Sequence, residues 1–395
     1  MTSSRSIDPR GSAQGTTESP STLALTERLA HPLRRRKRLG EGLAAGLLVL
    51  LAALLSVSFF EKLPIEGTSL GIDWQDLWPA IRGGVIRYEG TGLRNPPWSI
   101  LPVLPLGLLS MRSGWAILTL ATIACLMFSV PQFDRPGLRL AGILLLVSSF
   151  PAVRHAADGN FEGLVIAGML LMLHGLAVQS PWWLAGGVLL ATAKPQESWL
   201  VLLLVIYRVA ARWPRKAAAL AGALIACVTV PLLLVYGRDW LQSMVEIPQR
   251  GGIMDISVAA AASRLSLEPW ITVVLWAAIL GATAVVCLRD RAALTRKKIT
   301  FAISASLLLS PYSAGNSLLA VLALGILPGL RKDPGVTLAL IALMDAPYAA
   351  RLLSWDVVGW QAGYWTVMLL LTWAVLGIRL LQAENRLAED VVPVE

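Results

Sequence analysis

The chain has little charge. Asp, Glu, Lys and Arg make up 15% of its 395 residues, whereas 55% of the residues are hydrophobic. A typical soluble domain has about 25% charged and about 45–50% apolar residues. The composition excludes a disordered chain, a secreted disulfide scaffold and a soluble enzyme with a single membrane anchor. The apolar residues form continuous runs without alternation, which argues against a membrane β-barrel.

Cysteine and histidine are also scarce, with three residues of each. The cysteines all lie inside apolar runs, where cysteine behaves as a small hydrophobic residue, and they lack metal-binding spacing. The histidines are far apart and form no zinc motif. The sequence contains no recognisable nucleotide-binding loop, so we predict no metal site and no cofactor.

Basic residues outnumber acidic ones by 34 to 25, which gives a net charge of +9. They concentrate in short segments between the apolar runs, as the positive-inside rule expects of cytoplasmic loops. A basic block at residues 34–38 (RRRKR) precedes the first apolar run and is typical of a segment that attracts anionic lipid. We therefore predict that this positive charge interacts with membrane lipid, and we predict no nucleic-acid partner.

The apolar runs predict an all-α, multi-pass protein of the cell membrane, with about twelve transmembrane helices and two long extracytoplasmic loops. The predicted parts are a disordered basic cytoplasmic tail (1–40), an integral membrane domain (41–381) and a cytoplasmic tail (382–395). The two long loops are 61–96 and 237–269. The predicted spans lie at about 41–60, 97–111, 115–131, 139–153, 161–178, 182–207, 217–236, 270–288, 299–311, 316–328, 336–348 and 363–381.

One of these spans, 182–207, is long and is interrupted by Lys194-Pro195. We count it as a single span because the most basic loops then all face the cytoplasm. Two short spans at this place would invert the sides of all the earlier loops relative to the later ones.

The first long loop contains two acids three residues apart, Asp73 and Asp76, beside Trp74 and Trp78. Helical spacing of three would place both carboxylates on one face. A carboxylate against apolar surface can act as a general base. The alternative is an interfacial amphipathic helix with tryptophan anchors and solvated acids.

Three arginines follow in the same loop, at Arg82, Arg87 and Arg94. Arginine can hold a phosphate or diphosphate through paired donors. Ordinary loop charge explains them equally well.

Polar residues also interrupt the later spans. Lys194 lies in a predicted span with Gln196 and Glu197, and a cation there costs several kcal/mol unless it is paired or faces water. It is a candidate functional residue, although Lys194 and Glu197 could be a structural pair. Residues 158–162 (DGNFE) open another span, either as part of a site or as a helix cap.

Taken in order, these pieces resemble glycosyltransferase family 87 of the GT-C superfamily, which includes the polyprenol-phosphate-mannose-dependent mannosyltransferases of actinobacteria. The resemblance covers about residues 41–380. It is carried by an acid after the first helix and by Asn-Pro-Pro-Trp (95–98), Gly159-Asn160, Lys-Pro-Gln (194–196) and Ser-Pro-Tyr (310–312). Where that family often has an aspartate after Ser-Pro-Tyr, this chain has Asn316 and Ser317.

The resemblance implies a GT-C-like fold and an inverting, metal-independent glycosyltransferase of the cell envelope. The donor would be a monosaccharide on a polyprenyl phosphate, and the acceptor a lipid or glycan at the extracytoplasmic face. The sugar would be mannose, a similar hexose or arabinofuranose. Asp73, or alternatively Asp76, would deprotonate the acceptor hydroxyl. Lys194 and Gln196 would lie near the carrier phosphate, and Asn160 and Tyr312 would belong to the substrate-binding residues.

Two other functions fit a polytopic membrane protein. A transporter or flippase of a lipid-linked substrate would explain Lys194 and the many spans, but it predicts paired ionisable residues in two halves, and these are not found. A non-catalytic membrane scaffold would be favoured if both Asp73 and Asp76 could be lost without effect.

Overall fold

The computed structural model describes residues 51, 54–64, 70–245, 255–289, 294–353, 355–356 and 359–389. Helices account for most of these residues, and no β-strand occurs within them; an isolated bridge joins Asp255 to Ala314. The all-helical prediction is thus confirmed for this part of the chain. The predicted tail at 1–40, the basic block and the first ten residues of the first predicted span lie outside the described residues.

The α-helices, in chain order, are α1 (Ile72–Ile81), α2 (Pro97–Ile100), α3 (Met111–Ser129), α4 (Pro136–Ser148), α5 (Phe150–Asp158), α6 (Glu162–Val178), α7 (Pro181–Ala191), α8 (Pro195–Arg212), α9 (Arg215–Val245), α10 (Val258–Arg264), α11 (Pro269–Arg289), α12 (Arg296–Leu309), α13 (Leu318–Val321), α14 (Pro334–Leu352) and α15 (Gln361–Glu389). Short 3-10 segments occur at Leu104–Leu108, Gly315–Ser317 and Leu327–Arg331, with a π-helical turn at Leu322–Ile326. Several helices begin at proline, whose missing N–H costs nothing at the first helical position.

Within the described ranges, four helices are long and apolar enough to cross a membrane: α3, residues Arg215–Met244 of α9, α11, and residues Gln361–Gln382 of α15. Helices α4 and α5 form a fifth if they are one span, although they bend by 54°. These helices identify the chain as a membrane protein. The predicted number of about twelve crossings is not confirmed, because α6, α7 and residues Gly315–Arg331 are apolar but shorter.

The structure corrects two predicted spans. Residues 182–207 are not one helix, because α7 ends at Ala191 and α8 begins at Pro195. Proline lacks an N–H and forces the preceding residue out of the helical region, and Lys194 accordingly has ψ 88°. Residues 97–111 are not one helix either: α2 has four residues and the 3-10 segment Leu104–Leu108 follows.

The two long loops are not confirmed as predicted, because both ranges contain helical residues. The first holds α1, and the second begins later, because α9 continues to Val245 in spite of its internal Pro231. Residues 246–254 of the second loop lie outside the described residues. The last helix extends to Glu389, past the predicted end near 381.

Helix α12 lies in the core, since every residue from Lys298 to Leu309 is buried. It packs against α8, α11 and α15. Helix α1 is fixed by its neighbours: the indole of the fully buried Trp74 donates a hydrogen bond to Met111 O at 2.6 Å, and Gly71 N donates to Ala157 O at 2.6 Å. The start of α1, which carries Asp73, is therefore held against α3 and the end of α5.

Candidate functional site

A cavity of about 740 Å³ lies beside the first turn of α1. This is within the range of small-ligand sites, about 300–1,000 Å³. Its walls come from seven separate parts of the chain. They are α1, residues 92–95, residues 159–161, residues 194–199, the facing parts of α9 and α11, and residues 309–317.

Seven of the nine residues predicted from the sequence line this cavity: Asp73, Asp76, Arg94, Asn160, Lys194, Gln196 and Tyr312. The other two, Arg82 and Arg87, are not among its lining residues. Both are exposed, and the Arg82 guanidinium stacks over the ring of Trp78 at 5.1 Å. The structure thus brings together residues from both halves of the chain and separates Arg94 from the two preceding arginines.

Asp73 is half-buried and is held in one orientation by Asn160. The amide Nδ2 of Asn160 donates to Asp73 Oδ2 at 2.7 Å. Asn160 follows Gly159, which ends α5 with φ +74°. This left-handed conformation turns the chain back toward α1, so that the side chain of Asn160 reaches the first turn of that helix.

Asp76 lies one turn further along α1 and is exposed. Its carboxylate packs against Gly92, where a Cβ atom would lie only 2.5 Å from Asp76 Cγ. Both acids line the cavity, and Asp73 is the more buried of the two.

Lys194 is buried at the break between α7 and α8, where it borders the cavity. Its Nζ lies 2.5 Å from Glu162 Oε2 and 3.5 Å from Glu197 Oε1. The Lys194–Glu197 pair was predicted as an alternative from helical spacing. The shorter contact, with Glu162, was not predicted, because these residues are 32 positions apart and only the fold brings them together.

The Asn-Pro-Pro-Trp segment attaches the first loop to that same break. Asn95 Nδ2 donates to Ala193 O at 2.9 Å, and Trp98 Nε1 donates to Thr192 Oγ1 at 2.8 Å. The indole of Trp240, in α9, donates to Arg94 O at 3.0 Å. In sequence this segment was one of the motifs that carry the family resemblance; in the structure it fixes Arg94 and Lys194 relative to each other.

The Ser-Pro-Tyr segment forms the opposite wall. Ser310 Oγ donates to Tyr312 O at 2.8 Å. Partial burial, with smaller contributions from the carboxylates of Asp73 and Asp255, raises the pKa of Tyr312. The phenol is therefore neutral at physiological pH and can donate a hydrogen bond to a ligand.

The family model described as glycosyltransferase family 87 matches residues 94–311, which is more than half of the chain. The chain belongs to glycosyltransferase family 87. The resemblance predicted from the sequence is confirmed. No curated protein and no solved structure matches the chain.

In this family 87 glycosyltransferase, the matched region begins at Arg94 and includes Asn160, Lys194 and Gln196. Asp73 and Asp76 precede it, and Tyr312 follows directly after it. The cavity therefore combines matched and unmatched parts of the chain. Within the described ranges, no three or more His, Cys, Asp or Glu side chains form a group that could hold a metal ion.

Tryptophan side chains form the apolar part of the glycosyltransferase's cavity. Trp199 and Trp276 are stacked, with ring centroids 6.4 Å apart and an interplanar angle of 11°. Their indole N–H groups donate to backbone carbonyls, those of Ser306 and Leu309. With their polar atoms engaged, these rings offer an apolar surface, whereas the Asp73 side of the cavity is polar.

A buried carboxylate anchors the Tyr312 wall. Asp255 Oδ1 accepts hydrogen bonds from Ser257 N at 2.9 Å and from Ser313 N at 3.0 Å. Ile256 N also donates to Ser313 O at 2.8 Å. These bonds attach residues 255–257, which belong to the second predicted loop, to the cavity wall.

We expect Asp255→Ala to destabilise the enzyme by about 1–3 kcal/mol, because two buried N–H groups lose their acceptor. Asp255→Asn should cost less, because the amide keeps a carbonyl oxygen at the Oδ1 position. Unfolding in detergent, monitored by circular dichroism, measures both variants. An equal loss of stability in the two variants would show that the negative charge of Asp255, rather than its hydrogen bonds, stabilises the protein at this position.

Proposed function

We propose that this glycosyltransferase transfers a monosaccharide from a polyprenyl-phosphate carrier to a lipid or glycan acceptor, with inversion at the anomeric carbon and without a metal ion. The sugar is mannose, a similar hexose or arabinofuranose. The reaction takes place at the extracytoplasmic face of the cell membrane, which the chain crosses several times.

One observation carries the proposal: the Asp73–Asn160 contact lies in the same cavity as Lys194 and the stacked tryptophans. The cavity thus has a fixed carboxylate for a proton, cations for a phosphate and an apolar wall for a carrier chain. A sugar attached to a polyprenyl phosphate needs all three of these.

In the transfer step, the acceptor hydroxyl oxygen forms a bond to the anomeric carbon from the side opposite the phosphate. The bond between that carbon and the phosphate oxygen breaks, and its electron pair leaves with the polyprenyl phosphate. The hydroxyl proton passes to Asp73. Because Asn160 occupies Oδ2, we assign the proton to Oδ1.

Lys194 and Arg94 are the cations among the described lining residues, and we assign them to the phosphate. Negative charge increases on this group as the bond to the sugar breaks, so preorganised donors stabilise the transition state more than the ground state. Arg82 and Arg87 have no part in this proposal, because they lie outside the cavity.

The proposal is tested by purifying the protein, reconstituting it in liposomes and supplying a panel of radiolabelled polyprenyl-phosphate sugars with a membrane lipid extract as acceptor. We expect transfer of label from one class of donor. Movement of the intact donor across the bilayer without transfer would instead identify a transporter or flippase. No transfer and no movement, from folded protein supplied with its native membrane extract, would favour a scaffold.

A further inference from the structure

Two acids and one lysine are buried together behind the cavity wall. Glu162 and Glu197 have no exposed surface, and Lys194 is 6% exposed. Each acid lies in the first turn of its helix, Glu162 in α6 and Glu197 in α8. With both carboxylates ionised, the group would bury one net negative charge, which costs several kcal/mol.

The neighbouring histidine does not supply the missing positive charge. His155 Nε2 lies 2.9 Å from Asn316 O, a carbonyl that can only accept, so the ring proton is on Nε2. His155 Nδ1 is buried and has no hydrogen-bond partner among the described residues. A second proton on Nδ1 would therefore be an unsatisfied buried charge, and the ring is neutral.

A proton on one of the two acids makes the group neutral. The Glu162 and Glu197 carboxyl groups both lie beside Lys194 Nζ, so they are close neighbours in the same buried site. Two ionised carboxylates this close repel each other, and a proton on one of them removes the repulsion. The distances to Lys194 Nζ, 2.5 Å from Glu162 and 3.5 Å from Glu197, indicate which acid is ionised.

We infer that Glu162 is a positioning residue: its ionised carboxylate holds the Lys194 ammonium at the cavity wall, while Glu197, the more distant acid, is protonated. This inference rests on the proposed function, in which Lys194 faces the donor phosphate. An ammonium has three N–H donors. Glu162 engages one of them and sets the direction of the others, including the one that reaches a ligand.

The test compares Glu162→Gln with Glu197→Gln. Both changes are nearly isosteric and remove one carboxyl group beside the same lysine. For Glu162→Gln we expect the KM for the polyprenyl-phosphate sugar to rise about tenfold or more, with the acceptor KM unchanged, because Lys194 loses its fixed position (tenfold corresponds to about 1.4 kcal/mol). For Glu197→Gln we expect both KM values to stay within about twofold, because glutamine resembles the protonated acid.

A second measurement does not depend on turnover. The unfolding midpoint of each variant is determined in detergent, with and without a short-chain polyprenyl monophosphate as a product analogue. Glu162→Gln should lower the midpoint and abolish the stabilisation by the analogue, and Glu197→Gln should do neither. Equal effects in the two variants, or a larger effect in Glu197→Gln, would overturn the inference.

The experiments can reject the proposed function and the inference about Glu162 separately. If wild-type protein transfers no sugar and is not stabilised by the analogue, the proposed function is wrong. The midpoints without the analogue then decide the role of Glu162: a lower value for Glu162→Gln alone supports the assigned ion pair, and equal values reject it. If wild-type protein transfers sugar but the two variants behave alike, only the inference about Glu162 is wrong.

Discussion

Asp73→Asn is expected to reduce sugar transfer by about 10²–10⁴-fold, the usual contribution of a general base. Asparagine has nearly the same shape and keeps an oxygen that can accept the hydrogen bond from Asn160 Nδ2. It cannot accept the proton of the acceptor hydroxyl at neutral pH. The rate of transfer from the active donor in liposomes, divided by the amount of folded protein, measures the loss.

Asp76→Asn is the matched control, because Asp76 lies on the same helix, lines the same cavity and is more exposed. We expect it to keep most of the activity. If Asp76→Asn were the inactive variant, the base would be Asp76 and the hydrogen bond from Asn160 would have another purpose. If both variants kept full transfer, neither acid would be the base, and both would be solvated acids at the interface.

The residues of the cavity could be predicted from sequence where they are chemically conspicuous. Asp73 and Asp76 are acids among tryptophans, and Lys194 is a cation in an apolar run, so each has a desolvation cost that calls for an explanation. Their convergence on one cavity was implied only by the resemblance to the family. Arg82 and Arg87 lie outside this cavity, and an exposed loop arginine has no desolvation cost that would indicate its place.

Glu162 shows why other parts of the site could not be predicted. In sequence it is an acid in the first turn of a helix, a position that the helix dipole explains without any partner. Its contact with Lys194 depends on how α6 packs beside the α7–α8 break, which is a tertiary property. The apolar wall of the cavity could not be predicted for a similar reason, because in sequence Trp199 and Trp276 look like ordinary residues of apolar helices.

The fold was predictable as a class but not in its breaks. Long apolar runs such as α9 and α11 are stable in a membrane as helices. The predicted spans match both ends of α11 and the start of α9 to within a few residues, whereas α9 ends later than predicted. The breaks at Lys194-Pro195 and after Ile100 depend on prolines whose effects compete with strong apolar propensity. Helix α9 continues through Pro231, whereas a new helix, α8, begins at Pro195. The break before Pro195 is stabilised by hydrogen bonds from Asn95 and Trp98 to the residues between α7 and α8.

Gly159→Ala should be the most damaging small substitution at the site. A Cβ atom there would lie 2.4 Å from Cβ of the fully buried Trp74 and 3.1 Å from Trp115 Nε1. Trp74 cannot retreat easily, because its indole donates to Met111 O at 2.6 Å. The residue also has φ +74°, which costs a residue with a Cβ about 1–2 kcal/mol. We expect α1 and Asn160 to move apart, with a loss of stability of about 2–4 kcal/mol and of transfer beyond about tenfold.

Gly90→Ala separates the effect of backbone strain from the effect of close packing on Trp74. Gly90 has nearly the same backbone conformation, with φ +67°, but a Cβ atom there would meet no described residue within 4 Å. It should therefore show the conformational cost alone, about 1–2 kcal/mol in the unfolding free energy, and leave transfer unchanged. Equal losses of stability and transfer in the two variants would mean that backbone strain alone acts. A loss of transfer confined to Gly159→Ala would mean instead that the close packing of Gly159 on Trp74 sets the distance between Asn160 and Asp73, and with it the orientation of the proposed base.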